Sequence, residues 1–86
     1  MADFGVSIDR PNGLLAFDPE QLTISAGDTV TWTNLSSSRQ IVTFDSGSPD
    51  SVNINPGSSF RFTFDSEGVF PYRSDAGAAG EVTVNP

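Results

Sequence analysis

Along most of this chain apolar side chains fall at every second position, in short runs bounded by Gly, Pro, Asn and Asp. That is the period of a β-strand with one face buried, and no stretch sustains the period of an amphipathic helix. Phe4, Val6 and Ile8 share one face, Arg10-Pro11-Asn12-Gly13 is a turn sequence, and Leu15 with Phe17 forms a second short strand that Asp18-Pro19-Glu20 ends. Leu22 and Ile24 point one way and Ala26-Gly27-Asp28 turns the chain. Val30 and Trp32 then alternate with Thr29, Thr31 and Thr33, so this stretch predicts a two-layer hairpin element.

Beyond a polar loop from Asn34 to Ser38, Gln40, Val42 and Phe44 occupy one face of a strand and Ile41 and Thr43 the other. Both faces are partly apolar, which predicts an interior position in its sheet. Asp45 to Ser59 reads as a connection with a short strand at most, anchored by Val52 and Ile54. Phe60, Phe62 and Phe64 alternate with Arg61 and Thr63, and this aromatic face is expected to form the centre of the core. Phe70 and Tyr72 continue inward, a small Ala/Gly loop runs from Asp75 to Gly80, and Val82 and Val84 close the pattern. The expected fold class is all-β, a Greek-key antiparallel β-sandwich of roughly seven or eight strands. With no internal repeat or linker, a single domain is expected over residues 1–86.

Composition narrows the chemistry. The chain contains no Cys, no His and no Lys, its four cations being Arg10, Arg39, Arg61 and Arg73. Thiolate nucleophiles, imidazole bases and Schiff-base lysines are therefore all missing, and no enzyme is expected. A net charge of −7 repels phosphate backbones and anionic lipid, so nucleic acid is excluded as a partner and a basic or neutral protein is favoured. Eight Asp with no Lys also matches a surface suited to high salt, although a solubilising acidic surface is the plainer account. No apolar run exceeds four residues, Leu14 to Phe17, so membrane insertion is not expected. A monomer is expected, and no signal-peptide pattern opens the chain.

Three stretches carry a resemblance when taken in order. The first is Gly13-Leu14-Leu15-Ala16-Phe17-Asp18-Pro19 with Leu22-Thr23-Ile24-Ser25-Ala26-Gly27-Asp28-Thr29-Val30-Thr31-Trp32-Thr33-Asn34, and the second is Gln40-Ile41-Val42-Thr43-Phe44-Asp45. The third joins Pro56-Gly57-Ser58-Ser59-Phe60 through Phe64 to Gly68-Val69-Phe70-Pro71-Tyr72 and Gly80-Glu81-Val82-Thr83-Val84. Their order and spacing resemble the plastocyanin, halocyanin and pseudoazurin branch of the cupredoxins. An immunoglobulin-like sandwich would instead call for Cys, Trp and Cys at set spacings or a tyrosine corner.

The resemblance implies a blue-copper electron-transfer fold whose type 1 site uses two His nitrogens, a Cys thiolate and a weak axial Met. Matched position by position, the first His falls on Gln40, the Cys on Ser74 and the Met near Ala78, while the second His has no counterpart in the shortened loop. No metal and no cofactor is therefore expected. The segment from Ser46 to Asn55 is also shorter than its plastocyanin counterpart, where the acidic docking patch lies. By the same resemblance the compartment would be exported, periplasmic or extracellular.

Gln40 and Ser74 are expected either to hydrogen-bond across the vacated site or to be ordinary polar residues near a rim. Arg39 and Arg73 offer an anion or partner contact at that end, or else are solvated partners of Asp75 or Asp45. Asp45 and Asp50, with Asp18, Glu20 and Asp28 elsewhere, supply calcium-type oxygens without EF-hand spacing. Asn34-Leu35-Ser36 is a glycosylation sequon in an apparent loop. Three functions follow: a metal-free cupredoxin-like module with a structural or protein-interaction role, a blue-copper protein variant stripped of its site, or a small anion-binding module.

Overall fold

A computed structural model describes residues 2–10, 13–47 and 51–86. The middle of the Arg10–Gly13 turn and Asp50 lie outside the described residues. Nine strands are present among them: β1 (Asp3–Asp9), β2 (Ala16–Asp18), β3 (Gln21–Ser25), β4 (Asp28–Asn34), β5 (Gln40–Phe44), β6 (Val52–Ile54), β7 (Ser59–Phe64), β8 (Gly68–Ser74) and β9 (Ala79–Asn85). They form a four-stranded sheet in the order β2-β1-β4-β7 facing a five-stranded sheet in the order β3-β9-β8-β5-β6.

The all-β sandwich matches the pattern of alternation, with two differences in detail. There are nine strands rather than seven or eight, and the pairings of β1 with β4 and of β3 with β9 are parallel, so the sheets are mixed. Alternation cannot distinguish the two senses, because side chains switch faces at every residue in both. The parallel pairs arise where the chain leaves one sheet, runs in the other and returns. The turn before β4 makes such a transfer: Ala26 N–H donates to Asn85 O in β9, and Gly27 N–H donates to Phe64 O in β7. Gly27 does so at φ 95°, a left-handed conformation that side chains disfavour.

Strand β4 organises the interior. Asp28, Val30, Trp32 and Asn34 are all buried, so the inward face is apolar in the middle and polar at each end. Trp32 is fully enclosed and meets Phe44 and Tyr72 edge-on, each with centroids 5.5 Å apart. The expected aromatic centre on β7 is corrected here. Phe64 is buried, but Phe60 and Phe62 are only half-buried, because β7 is the last strand of its sheet and its inner face overhangs the sandwich flank. An interior position for β5, between β8 and β6, agrees with its two partly apolar faces.

Candidate functional site

Strands β5 and β8 run antiparallel with Val42 opposite Ser74 and Phe44 opposite Tyr72. Gln40 lies two residues before Val42 on the same inward face, so the pairing brings Gln40 and Ser74 to one end of the core as diagonal neighbours. Ala78 closes the same end and is 7% exposed, against 1% for Gln40 and 6% for Ser74. The three positions matched to copper ligands are therefore gathered and buried together. Each of the two polar ones is bonded to its own loop, and among the described residues no hydrogen bond joins Gln40 to Ser74.

Ser74 Oγ accepts from Ala76 N–H at 3.2 Å and Ala78 N–H at 3.1 Å, while Ser74 N–H donates to Ala78 O at 2.8 Å. Gly77, at φ 94°, completes the turn by donating to Ser74 O. The serine hydroxyl thus closes the short connection between β8 and β9. Gln40 is less well served. Its Nε2 reaches Ser36 Oγ at 3.5 Å and Ser38 O at 3.4 Å, both long, and its buried Oε1 has no partner among the described residues. Exchanging the amide's two ends would only move the deficit from the oxygen to the nitrogen.

Residues that the sequence did not single out as a frame hold this end together. Asn34, fully buried, donates through Nδ2 to Ser38 O (2.9 Å) and Ile54 O (2.8 Å) and accepts at Oδ1 from Ser36 N–H (2.9 Å) and Ser36 Oγ (2.6 Å). The apparent sequon is thus an Asx turn at the end of β4, and both amide hydrogens are occupied inside the fold. Asp75 fastens β8 to β5, accepting from Ile41 N–H through Oδ1 at 3.2 Å and donating its own N–H to Ile41 O at 3.1 Å. The readable signal was an Asn closing a strand with a Ser two residues on.

The two arginines do not line this end as a pair. Arg73, adjacent to inward Ser74, projects from the outer face of its sheet, and its guanidinium lies 4.0 Å from the carboxylate of Asp45, both groups being largely exposed. Arg39 is exposed in the loop before β5. Among the acidic residues considered for calcium, Asp28 is committed elsewhere: it accepts from Ala2 N–H at 2.8 Å and Ser25 N–H at 3.0 Å, and these bonds hold its carboxyl below the usual range. Among the described residues no group of three or more His, Cys, Asp or Glu is placed to share an ion. Among the described residues no helix is long and apolar enough to cross a membrane.

The single tyrosine lies one inward position before Ser74 on β8, packed against Trp32 and Phe44 in the middle of the core. Burial pushes the Tyr72 phenol up to about 12, with the Glu20 carboxylate adding to the rise and the Trp32 indole opposing it. Among the described residues neither Tyr72 Oη nor Trp32 Nε1 completes a hydrogen bond. Because the folded state holds the proton more tightly than the unfolded chain, this contribution to stability is intact below pH 10 and is lost as pH rises from 10 to about 12. Phenolate absorbance should follow that rise directly, and Tyr72→Phe should remove the alkaline slope of stability while leaving stability at neutral pH unchanged or higher. A phenol titrating at its ordinary value in the folded protein would contradict the assignment.

A type 1 copper centre requires imidazole and thiolate donors. The gathered positions offer an amide, a hydroxyl already used by its turn, and a methyl group. This donor set does not fit copper.

No protein-family model matches the chain. Curated relatives do: plastocyanin from Scenedesmus fuscus is 32% identical over 97 aligned positions, covering 95% of this chain and 99% of the relative. Since that alignment is longer than the 86 residues here, the relative carries segments that this chain lacks. Among solved structures, a purple cupredoxin from Nitrosopumilus maritimus superimposes with a TM-score of 0.80 at 29% identity, covering 94% of this chain and 98% of that one. Oxidised plastocyanin from Dryopteris crassirhizoma superimposes with a TM-score of 0.76 at 22% identity, covering 94% and 99%. Sandwich topology and near full-length similarity agree: the chain belongs to the cupredoxin family, in its plastocyanin-like branch, and with no Cys and no His it lacks the donors of that family's copper site.

Proposed function

We propose that this chain is a metal-free cupredoxin-like module, non-enzymatic and without redox activity, whose role is structural or protein-binding. One observation carries the reading: the end of the sandwich that gathers Gln40, Ser74 and Ala78 has no copper donor yet keeps an apolar surface. Leu14 is 78% exposed and Leu35 57% exposed. Leu35 N–H donates to Ile8 O at the finish of β1, and Leu14 lies in the connection that leaves β1, so both sit on the loops around the buried polar pair. Among the described residues Val69, 55% exposed on β8, is the other large apolar side chain left open, so two of the three stand on the loops at this tip, where another protein would cover them.

Titration with Cu(II) and then Cu(I), followed by desalting, tests this. The expected result is no retained metal and no intense visible thiolate charge-transfer band. Tight, stoichiometric copper would overturn the reading in favour of an electron-transfer protein.

A further inference from the structure

Of the four edge strands, β2 and β6 have three residues each, whereas β3 has five and β7 six. Very short edges offer little to pair with. Strand β7 is the longest and has an additional feature beside it: Phe62, Thr63, Phe64, Asp65, Ser66 and Phe70 line an open depression of about 180 Å³ on the sandwich flank.

The phase of the ladder decides which backbone groups are free. Asn34 N–H donates to Ser58 O, so the pairs Trp32–Phe60 and Val30–Phe62 are the doubly bonded ones. The N–H and C=O groups of Ser59, Arg61 and Thr63 consequently point away from β4, and among the described residues no backbone bond from another element reaches them. Arg61, the one cation on this strand, is engaged with Asp3 at 3.5 Å on the outer face. Asp65 and Glu67 stand exposed beside the depression, on a molecule of net charge −7.

We propose that the outer edge of β7 binds an extended basic peptide segment of a partner protein, which adds a strand to the four-stranded sheet and places an arginine in the aromatic depression. This rests on the reading of the chain as a protein-binding module and names one partner chemistry for it. The peptide backbone pairs with Arg61 and Thr63. Its arginine lays a guanidinium against the Phe62 and Phe70 rings and meets the Asp65 carboxylate. A second copy of this chain is disfavoured as occupant, because it would bring another seven net negative charges to the same edge.

The probe is a capped peptide alternating valine and arginine, with amide chemical shifts as readout. Shifts should concentrate at residues 59–66 and Phe70. Arg61→Pro removes an outward N–H but none that bonds β4, and should weaken binding about tenfold. The same peptide N-methylated at alternate amides should lose a similar factor against the unaltered protein, which tests the ladder without any variant. Asp65→Asn with Glu67→Gln should weaken binding about threefold or more. Shifts spread over the acidic surface, with Arg61→Pro and N-methylation both without effect, would overturn the proposal, as would concentration-dependent self-association through β7. Copper retention in the earlier titration would defeat the metal-free reading and leave a bound strand at β7 intact, so the two failures are distinguishable.

Discussion

Asn34→Ala is expected to destabilise the protein by about 3–5 kcal/mol. The side chain makes four hydrogen bonds, to Ser38 O, Ile54 O, Ser36 N–H and Ser36 Oγ, in a position with no solvent exposure. Alanine orphans Ser36 N–H and takes one donor each from Ile54 O and Ser38 O, the latter keeping Ser36 Oγ and Gln40 Nε2. An orphaned buried group costs roughly 1–3 kcal/mol and each further lost bond about 1 kcal/mol. Water entering the gap would offset part of the loss. A domain of this length has about 4–13 kcal/mol of total stability, so a large share would go. Asn34→Asp should be no better, since a carboxylate cannot donate to the Ser38 and Ile54 carbonyls and would bury a charge. Denaturant unfolding measures both variants. A loss under about 1 kcal/mol would show that the loop from Asn34 to Ser38 closes without this hub.

The second large effect is expected at Gly80. Gly80 lies opposite Tyr72 in the β8–β9 ladder, and the phenol ring folds over it. A Cβ built at residue 80 would fall 2.6 Å from Tyr72 Cζ and Oη and 2.9 Å from Cε2. The ring cannot retreat freely, because it is wedged against Phe17 (centroids 4.7 Å apart), Trp32 (5.5 Å) and Phe44 (5.3 Å). Gly80→Ala should therefore destabilise by about 2–3 kcal/mol through overpacking, even though alanine is favoured over glycine in a strand interior. Tyr72→Leu removes the clashing atoms, so Gly80→Ala should cost much less in that background, a coupling of about 1–2 kcal/mol in a double-mutant cycle. Additive losses would place the strain elsewhere.

These two positions show where the sequence stops being informative. Asn34 reads as a loop residue inside a sequon, since nothing local reveals that its amide reaches Ile54, twenty positions away. Gly80 reads as one more small residue in an Ala/Gly loop, and the need for hydrogen at its Cα comes from a ring on the neighbouring strand. Gln40 and Ser74 behaved differently. Their inward placement followed from parity with Val42, Phe44 and Tyr72, and the structure puts both on the core side of adjacent strands. Their hydrogen bonds did not follow, because partner choice depends on how the loops at Ser36–Ser38 and Ala76–Ala78 fold back.

Arg73 makes the same distinction on the outer surface. The sequence offered either a cation beside the ligand positions or a solvated partner of Asp75 or Asp45, and alternation turns it to the outer face, toward Asp45. Phe60 and Phe62 have an impeccable strand period and are still half-exposed, because the lateral order of strands makes β7 an edge.

By itself the sequence determined the strand pattern, the sandwich class and the chemistry that is out of reach: a chain without imidazole or thiol lacks the donors of a type 1 centre whatever its fold. Alternation and donor inventory are local or compositional properties, so no coordinates are needed to read them. Strand neighbours, their parallel or antiparallel sense, the hub role of Asn34 and the open flank of β7 were decided only by tertiary structure. Each depends on segments far apart in the chain meeting across a sheet or between sheets, and a period of two residues contains no information about which strand comes to lie alongside.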